Sequence, residues 1–299
     1  MRRPTAIVAA ILWMLLSCAL LSGVAVLGRY AALEGVALFQ IILLRCVFAA
    51  LSMAPMVAVR GRAMLRTQHL PLYMARVGIG FIAMTTWFAA ISLIPVGEAQ
   101  AIAFLVPLFA TMGAAAFLGE RVGWRRWGAV GVGFAGALII LRPGLVETSV
   151  GTALAVVSAV TMAASTLFIK RLADRDDPDT VVLITSLMQC VLAVIPGLWV
   201  WQGISLELWG VFAAIGLLGM LGHITMARAF RAADASIVVG VDFARLPFSV
   251  LFGFWLFGEL IDFWTWVGAG VIFAAAFYTA RRETRVQGAP RTGSVNREP

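Results

Sequence analysis

The sequence predicts an all-α integral membrane protein with ten transmembrane helices, arranged as two inverted repeats of five helices. Of its 299 residues, 62% are hydrophobic and only 13% are charged, about half the charged share of a soluble domain. Too few polar side chains remain to cover a surface in water, so the surface must face lipid. Apolar runs of spanning length recur along the chain, and its two halves share a register of matching residues.

Ten apolar runs are long enough to cross a hydrocarbon core about 30 Å thick. The first follows Arg2 and Arg3, as in a signal peptide, but its length predicts an uncleaved helix. The polar, arginine-rich tail at 283–299 is predicted to be disordered. The predicted spans are 5–27, 36–59, 71–93, 96–118, 124–142, 150–170, 180–201, 207–228, 234–257 and 263–280.

The positions of the basic residues predict that both termini lie on the cytoplasmic side of a bacterial inner membrane. Short segments rich in Lys and Arg favour that side. With the N-terminus inside, nearly all of the 23 Lys and Arg residues fall in cytoplasmic segments. Only Arg29 and Arg142 fall on the other side, while Arg45, Arg76 and Arg245 lie within predicted spans.

A shift of 139 residues aligns one half of the chain with the other. We therefore expect one five-helix repeat at 1–143 and a second at 144–282. Because each half has an odd number of spans, the two copies would enter the membrane in opposite orientations. Inverted repeats are common in secondary transporters, whose sites lie between the halves near the midplane. The aligned pairs include Gly119 and Glu120 with Gly258 and Glu259, Trp127 with Trp266, Gly131 with Gly270, and Phe104 with Phe243.

Two corresponding segments and one arginine carry a recognisable pattern: Phe104-Leu-Val-Pro107-Leu-Phe109 with Leu118-Gly119-Glu120-Arg121, the segment from Phe243 to Glu259, and Arg45. In these residues the chain resembles the EamA-like family of the drug/metabolite transporter superfamily, over residues 5–280. The resemblance implies alternating-access transport of small metabolites, and the amino-acid exporters, including the aromatic amino acid exporter, are the branch it suggests. Proton-coupled transport of drugs or nucleoside-like metabolites is the alternative, and the sequence determines neither the direction of transport nor its energy source.

Pro107 and Pro247 occupy nearly matching positions in the fourth and ninth spans. Proline cannot donate to the carbonyl four residues earlier, so each is expected to interrupt its helix near the midplane. Helix breaks at corresponding positions of two halves indicate a transport site. A simple kink for packing would leave the same pattern.

Asp242 and Arg245 are the strongest candidates for substrate binding. They lie three residues apart in the ninth span, hence on one helix face. At that depth each charge costs at least about 2.5 kcal/mol, so a lipid-facing position is disfavoured. Two roles stay open: an ion pair with each other or with Arg45, or contacts with the ammonium and carboxylate groups of a zwitterion.

Six further side chains are predicted to line the substrate path. Helical spacing places five of them on faces shared with other polar, aromatic or sulfur-containing residues, although ordinary packing would use the same residue types. His223 is the counterpart of Met84 after the 139-residue shift, and a hydrogen bond between helices is the alternative role for it. Proton coupling would need a group such as Asp242, Glu98 or His223. The six are Met84 and Trp87 on span three, Gln100 and Phe104 on span four, Met162 on span six, and His223 on span eight.

The motifs disfavour other classes of protein. The chain contains neither an HExxH helix nor a GxSxG turn, which leaves an intramembrane enzyme as a distant alternative. Its three cysteines lack metal-ligand spacing, and the basic residues form no single face for nucleic acid. We expect no cofactor and no metal, and a working unit that is a monomer or a weak homodimer in the bilayer.

Overall fold

Every regular element that the computed structural model describes is an α-helix. The described residues are 4–61, 67–117, 124–141, 149–173, 176, 178–232, 241–242 and 244–287. The predicted all-α class is therefore confirmed for this part of the chain. Its helices are α1 (Pro4–Leu33), α2 (Leu38–Arg60), α3 (Leu70–Leu93), α4 (Val96–Ala103), α5 (Val106–Phe117), α6 (Trp124–Leu141), α7 (Val150–Ala173), α8 (Pro178–Trp199), α9 (Leu206–Ala232), α10 (Arg245–Phe257) and α11 (Phe263–Gln287).

Four of the described helical stretches are long and apolar enough to cross a membrane by themselves. The fourth predicted span falls short of that length because it is divided into α4 and α5. Shorter apolar stretches occur within or across the other helices from α2 to α11. The four long stretches are Val8–Leu33, Leu70–Leu93, Val150–Phe168 and Leu206–Met226.

The predicted disordered tail begins later than expected. Helix α11 continues to Gln287, so the prediction of disorder from residue 283 is wrong for its first five residues. The segment 281–287 contains no Gly or Pro and is rich in Arg, Glu and Gln, which are good helix formers. Residues 288–299 lie outside the described residues, as do Gly119, Glu120 and Phe243 of the aligned pairs.

The most extensive helix contacts join the two halves of the chain. Helix α1 packs along α9, and α3 packs along α7; α6 packs against α11, and α2 packs against both α8 and α9. Exchanging the halves through the 139-residue shift would convert the α1–α9 pair into the α7–α3 pair. The two aligned segments of the sequence therefore pack mainly against each other.

We call the end of the bundle where α1 and α3 end and α4 begins the Arg29 end. The largest apolar cluster reaches this end through Ile41, Ile91, Val96 and Phe212, all at most 1% exposed. At the opposite end α3 begins and α7 ends, and the smaller cluster around Tyr73 lies there. We call it the Asp176 end, because Tyr73 donates a hydrogen bond to Asp176.

Helices α6 and α11 approach to backbone contact at two glycines. A Cβ atom on Gly136 would lie 2.8 Å from the carbonyl oxygen of Gly268, and one on Gly268 would lie 2.5 Å from that of Gly136. Cβ atoms do not come so close to a carbonyl oxygen, so both positions require glycine. Small residues at helix crossings serve the same purpose in other membrane proteins.

We expect Gly136→Ala to lower the melting temperature of the detergent-solubilised protein by several degrees. The added methyl group would meet backbone atoms that cannot rotate away, and overpacking of this kind costs about 1–3 kcal/mol. Gly131→Ala is the matched control, because it lies on the same helix and a Cβ atom there meets nothing within 4 Å. The control should melt at the wild-type temperature or slightly above it. Equal melting curves for the two variants would contradict the backbone contact.

Candidate functional site

Each half of the chain contains a helix that is interrupted at the same relative position. Helix α4 ends at Ala103 and α5 begins at Val106. After the 139-residue shift, Ala103 corresponds to Asp242, which is helical, and Val106 corresponds to Arg245, the first residue of α10. Ala244, just before α10, lies in a turn. The described residues therefore show interruptions at matching positions of the aligned sequence.

The first interruption replaces the regular helical hydrogen bonds with a tighter turn. The N–H groups of Phe104 and Leu105 donate to carbonyl oxygens only three residues back, at 3.3 and 3.0 Å. Pro107 and Pro247 lie in the first turns of α5 and α10. A proline costs no helical hydrogen bond there, because the first N–H groups of a helix have no partner within it.

Asp242 and Arg245 form an ion pair across the second interruption. Arg245 Nη2 lies 2.5 Å from Asp242 Oδ1, and the Arg245 and Asp242 side chains are 24% and 35% exposed. Of the two roles that the sequence left open, this pairing is the one present in the structure. Because both side chains keep exposed surface, the pair is not sealed in the packed core.

Helix α1 packs directly against this interruption. The Ser22 hydroxyl donates to the carbonyl oxygen of Arg245 at 3.0 Å, and the Ser249 hydroxyl donates to Ser22 Oγ at 3.1 Å. Both serines are fully buried. One turn earlier, Cys18 Sγ lies 3.8 Å from Asp242 Oδ1. Irregular backbone at membrane depth needs such partners from neighbouring helices.

Arg45 of α2 contacts two side chains of α3. Arg45 Nη1 contacts Met84 Sδ at 2.5 Å, and its guanidinium lies 5.5 Å from the centre of the Phe88 ring. The described contacts of Arg45 thus join α2 to α3.

Two predicted site residues keep accessible surface. Met162 lies on the face of α7 that includes the buried Ser158 and Ser165, yet its side chain is 39% exposed. His223 lies two turns after the buried Gly216 on one face of α9, and it is also exposed.

The remaining predicted residues are more deeply packed. Met84, Gln100 and Phe104 are buried, and Trp87 is half-buried. Met84 contacts Arg45 through its sulfur, and Trp87 lies one turn further along α3. Gln100 lies on α4, and Phe104 lies at the first interruption.

A separate apolar cavity of about 690 Å³ lies between α3, α5, α6 and α7. Its described lining residues include Ile79, Phe109, Trp127 and Phe168. The lining contains none of the eight predicted substrate-binding residues. It lies toward the Asp176 end, because Ile79 is in the first half of α3 and Phe168 is in the last part of α7.

A second ion pair, between Arg29 and Glu259, was not singled out from the sequence. It lies at the Arg29 end, and its side chains are only 10% and 16% exposed. A signal for it did exist in the sequence. Arg29 is an isolated charge on the side with few basic residues, and Glu259 belongs to the repeated Gly-Glu pair.

We expect Ser22→Ala to destabilise the protein, because a buried hydroxyl at the interruption loses its role as donor and acceptor. Leaving buried polar groups without partners costs about 1–3 kcal/mol, so the melting temperature in detergent should fall clearly. Ser52→Ala is the matched control, since that hydroxyl bonds only the Phe48 carbonyl of its own helix, at 2.8 Å, and should change little. A Ser22→Ala variant as stable as this control would show that the contact contributes nothing.

Comparison with known proteins gives a consistent family. The sequence profile of the EamA-like transporter family matches the chain twice, at residues 8–142 and 149–281. A riboflavin transporter of Rhizobium johnstonii is 34% identical over 81% of this chain and 81% of its own length. A riboflavin transporter of Vibrio cholerae is 31% identical over 92% of this chain and 93% of its own length.

More distant similarities extend the comparison. An S-adenosylmethionine uptake transporter of Rickettsia bellii is 25% identical over 91% of this chain and 94% of its own length. A protein of known crystal structure, 21% identical, superimposes on 94% of this chain and 99% of its own with a TM-score of 0.62. At that identity the structural likeness indicates a shared fold only.

Proposed function

The chain belongs to the EamA-like transporter family, and we propose that it carries riboflavin, or a similarly flat and polar metabolite, across the bacterial inner membrane. Family membership and the apolar helices indicate a multi-pass membrane protein that transports a small molecule. The observation that carries the riboflavin proposal is the similarity, at 34% and 31% identity, to two riboflavin transporters. The relatives are named as transporters, which favours transport over catalysis.

The chemistry of the site supports a ligand of this class. Riboflavin combines a flat ring system that carries carbonyl groups with a chain of hydroxyl groups. Trp87, which is half-buried, offers aromatic surface for offset stacking. Asp242, Arg245 and His223 offer hydrogen-bond donors and acceptors. We propose that these residues, with Met84, Gln100, Phe104 and Met162, bind the substrate.

The proposed path runs between two inverted halves, at 1–143 and 144–282, beside the breaks that precede Pro107 and Pro247. Three observations support this architecture: the two family matches, the exchange-related helix pairs, and the equivalent interruptions. We further propose alternating access to the site from the two sides of the membrane, with both termini in the cytoplasm.

Export of amino acids is the second candidate function, and it follows from the resemblance to amino-acid exporters. The Asp242–Arg245 pair favours it, because a carboxylate and a guanidinium complement the two charges of a zwitterion. The names of the relatives support small-molecule transport in general and not amino acids in particular. Riboflavin therefore ranks first.

Purified protein in liposomes should equilibrate labelled riboflavin faster than empty liposomes do. Asp242→Asn and Arg245→Gln should each lower the initial rate by about tenfold or more, as expected when one partner of a charged binding contact is lost. Trp255→Ala is the matched control, because Trp255 lies on the same helix with its side chain 83% exposed. Its rate should equal that of the wild type.

The same liposomes separate the two candidate functions. Labelled phenylalanine and threonine, each followed with and without a pH gradient, test amino-acid transport and proton coupling. Flux of an amino acid without flux of riboflavin would replace the first candidate with the second. Wild-type riboflavin flux in both site variants would remove the site proposal and leave the substrate proposal standing.

A further inference from the structure

Arg29 connects three separate parts of the chain at one end of the bundle. Its guanidinium forms an ion pair with Glu259, which follows α10. It also donates to the carbonyl oxygens of Ile91 and Ile94 at the end of α3, and it lies 5.7 Å from the centre of the Phe257 ring. The last carbonyls of a helix lack partners within the helix and carry its negative dipole, so they suit a cation.

The segments around Arg29 are closed to water. Nearly all residues of α1 from 22 to 31 are buried or half-buried, although the first part of this helix has an exposed face. Helix α4, which begins beside Ile94, is also almost entirely buried. In contrast, Asp242 and Arg245 at the second interruption keep exposed surface. The site is therefore shut off at the Arg29 end in this conformation.

Helix α10, which Glu259 follows, has irregular backbone at both ends, so it can move as a unit. Helix α10 has the interruption at its beginning and Gly258 at its end, with a φ of +68°. That left-handed conformation favours glycine and turns the chain sharply after the helix. A short helix between a break and a tight turn can tilt without bending, which makes the contact at Glu259 the restraint on its outer end.

We propose that the Arg29–Glu259 ion pair is a latch, which holds α10 against α1 and α3 and closes the Arg29 end of the bundle. The inference rests on the proposed transport function, because alternating access requires this end to open once in each cycle. An ionic latch suits a joint that opens, since both charges are well solvated when water enters. A purely apolar seal would expose its surface to water on every opening.

The test is a distance measurement between two spin labels at the Arg29 end. Leu33→Cys and Leu260→Cys place the labels at exposed positions that flank the latch. The full chain is used, with Cys18, Cys46 and Cys190 replaced by alanine, in lipid nanodiscs and without substrate. The wild-type latch should give one dominant short distance in double electron–electron resonance.

Glu259→Gln should raise the longer-distance population by about fivefold or more, within the usual range for a coupling contact. Arg29→Lys keeps the charge but cannot reach the carboxylate and both carbonyl oxygens together, so its shift should be intermediate. Glu207→Gln is the matched control. That carboxylate accepts a hydrogen bond at 2.9 Å from Tyr30, beside Arg29, in an exposed setting. Its loss should leave the distances unchanged.

Unchanged distances in both Glu259→Gln and Arg29→Lys would overturn the latch, and so would an equal shift in Glu207→Gln. The measurement needs no substrate, so it is independent of the flux assay. A shifted distance distribution with no riboflavin flux would remove the substrate proposal while supporting the latch. Normal riboflavin flux with unchanged distances would overturn the latch and leave the substrate proposal standing.

Discussion

Irregular backbone inside a membrane must find its partners within the protein, and the structure is organised around two places where this happens. Helix continuity is lost between α4 and α5 and again before α10. At the second place, Ser22 of α1 and Ser249 of α10 supply hydroxyl groups at the break. Lipid offers no hydrogen bonds, so α1 must pack here, and this fixes the contact between the first helix and the last third of the chain. The helix pairing across the two halves agrees with that requirement.

Two ion pairs in the described part of the bundle join opposite charges: Asp242 with Arg245, and Arg29 with Glu259, where Arg29 also donates to the end of α3. The two pairs differ in exposure. Asp242 and Arg245 remain partly accessible, which suits contact with a ligand. Arg29 and Glu259 are nearly buried, which suits closure. The packing around each pair therefore decides which of the two proposed roles it can serve.

The two ends of the described bundle differ in what lies there. The largest apolar cluster reaches the Arg29 end through Ile91 and Val96, while the 690 Å³ apolar cavity lies toward the Asp176 end. Glycines allow close approaches of helices, as between Gly136 of α6 and Gly268 of α11. A difference of this kind between the two ends is compatible with one conformation of a transporter of the EamA-like family.

The sequence by itself determined the membrane class, the family, the positions of most helices and the two prolines beside the breaks, because these depend on composition, local periodicity and motif. It also identified Asp242 and Arg245, since charge within an apolar span is conspicuous. It did not bring Arg45 against Met84, nor pair Arg29 with Glu259, nor place Ser22 at the break. These contacts join residues up to about 230 positions apart, and only the packing of helices from both halves decides which side chains meet. The sequence also predicts too short a last helix. The polar composition of 283–287 indicates disorder, whereas its Glu, Arg and Gln residues favour a helix, and α11 continues to Gln287.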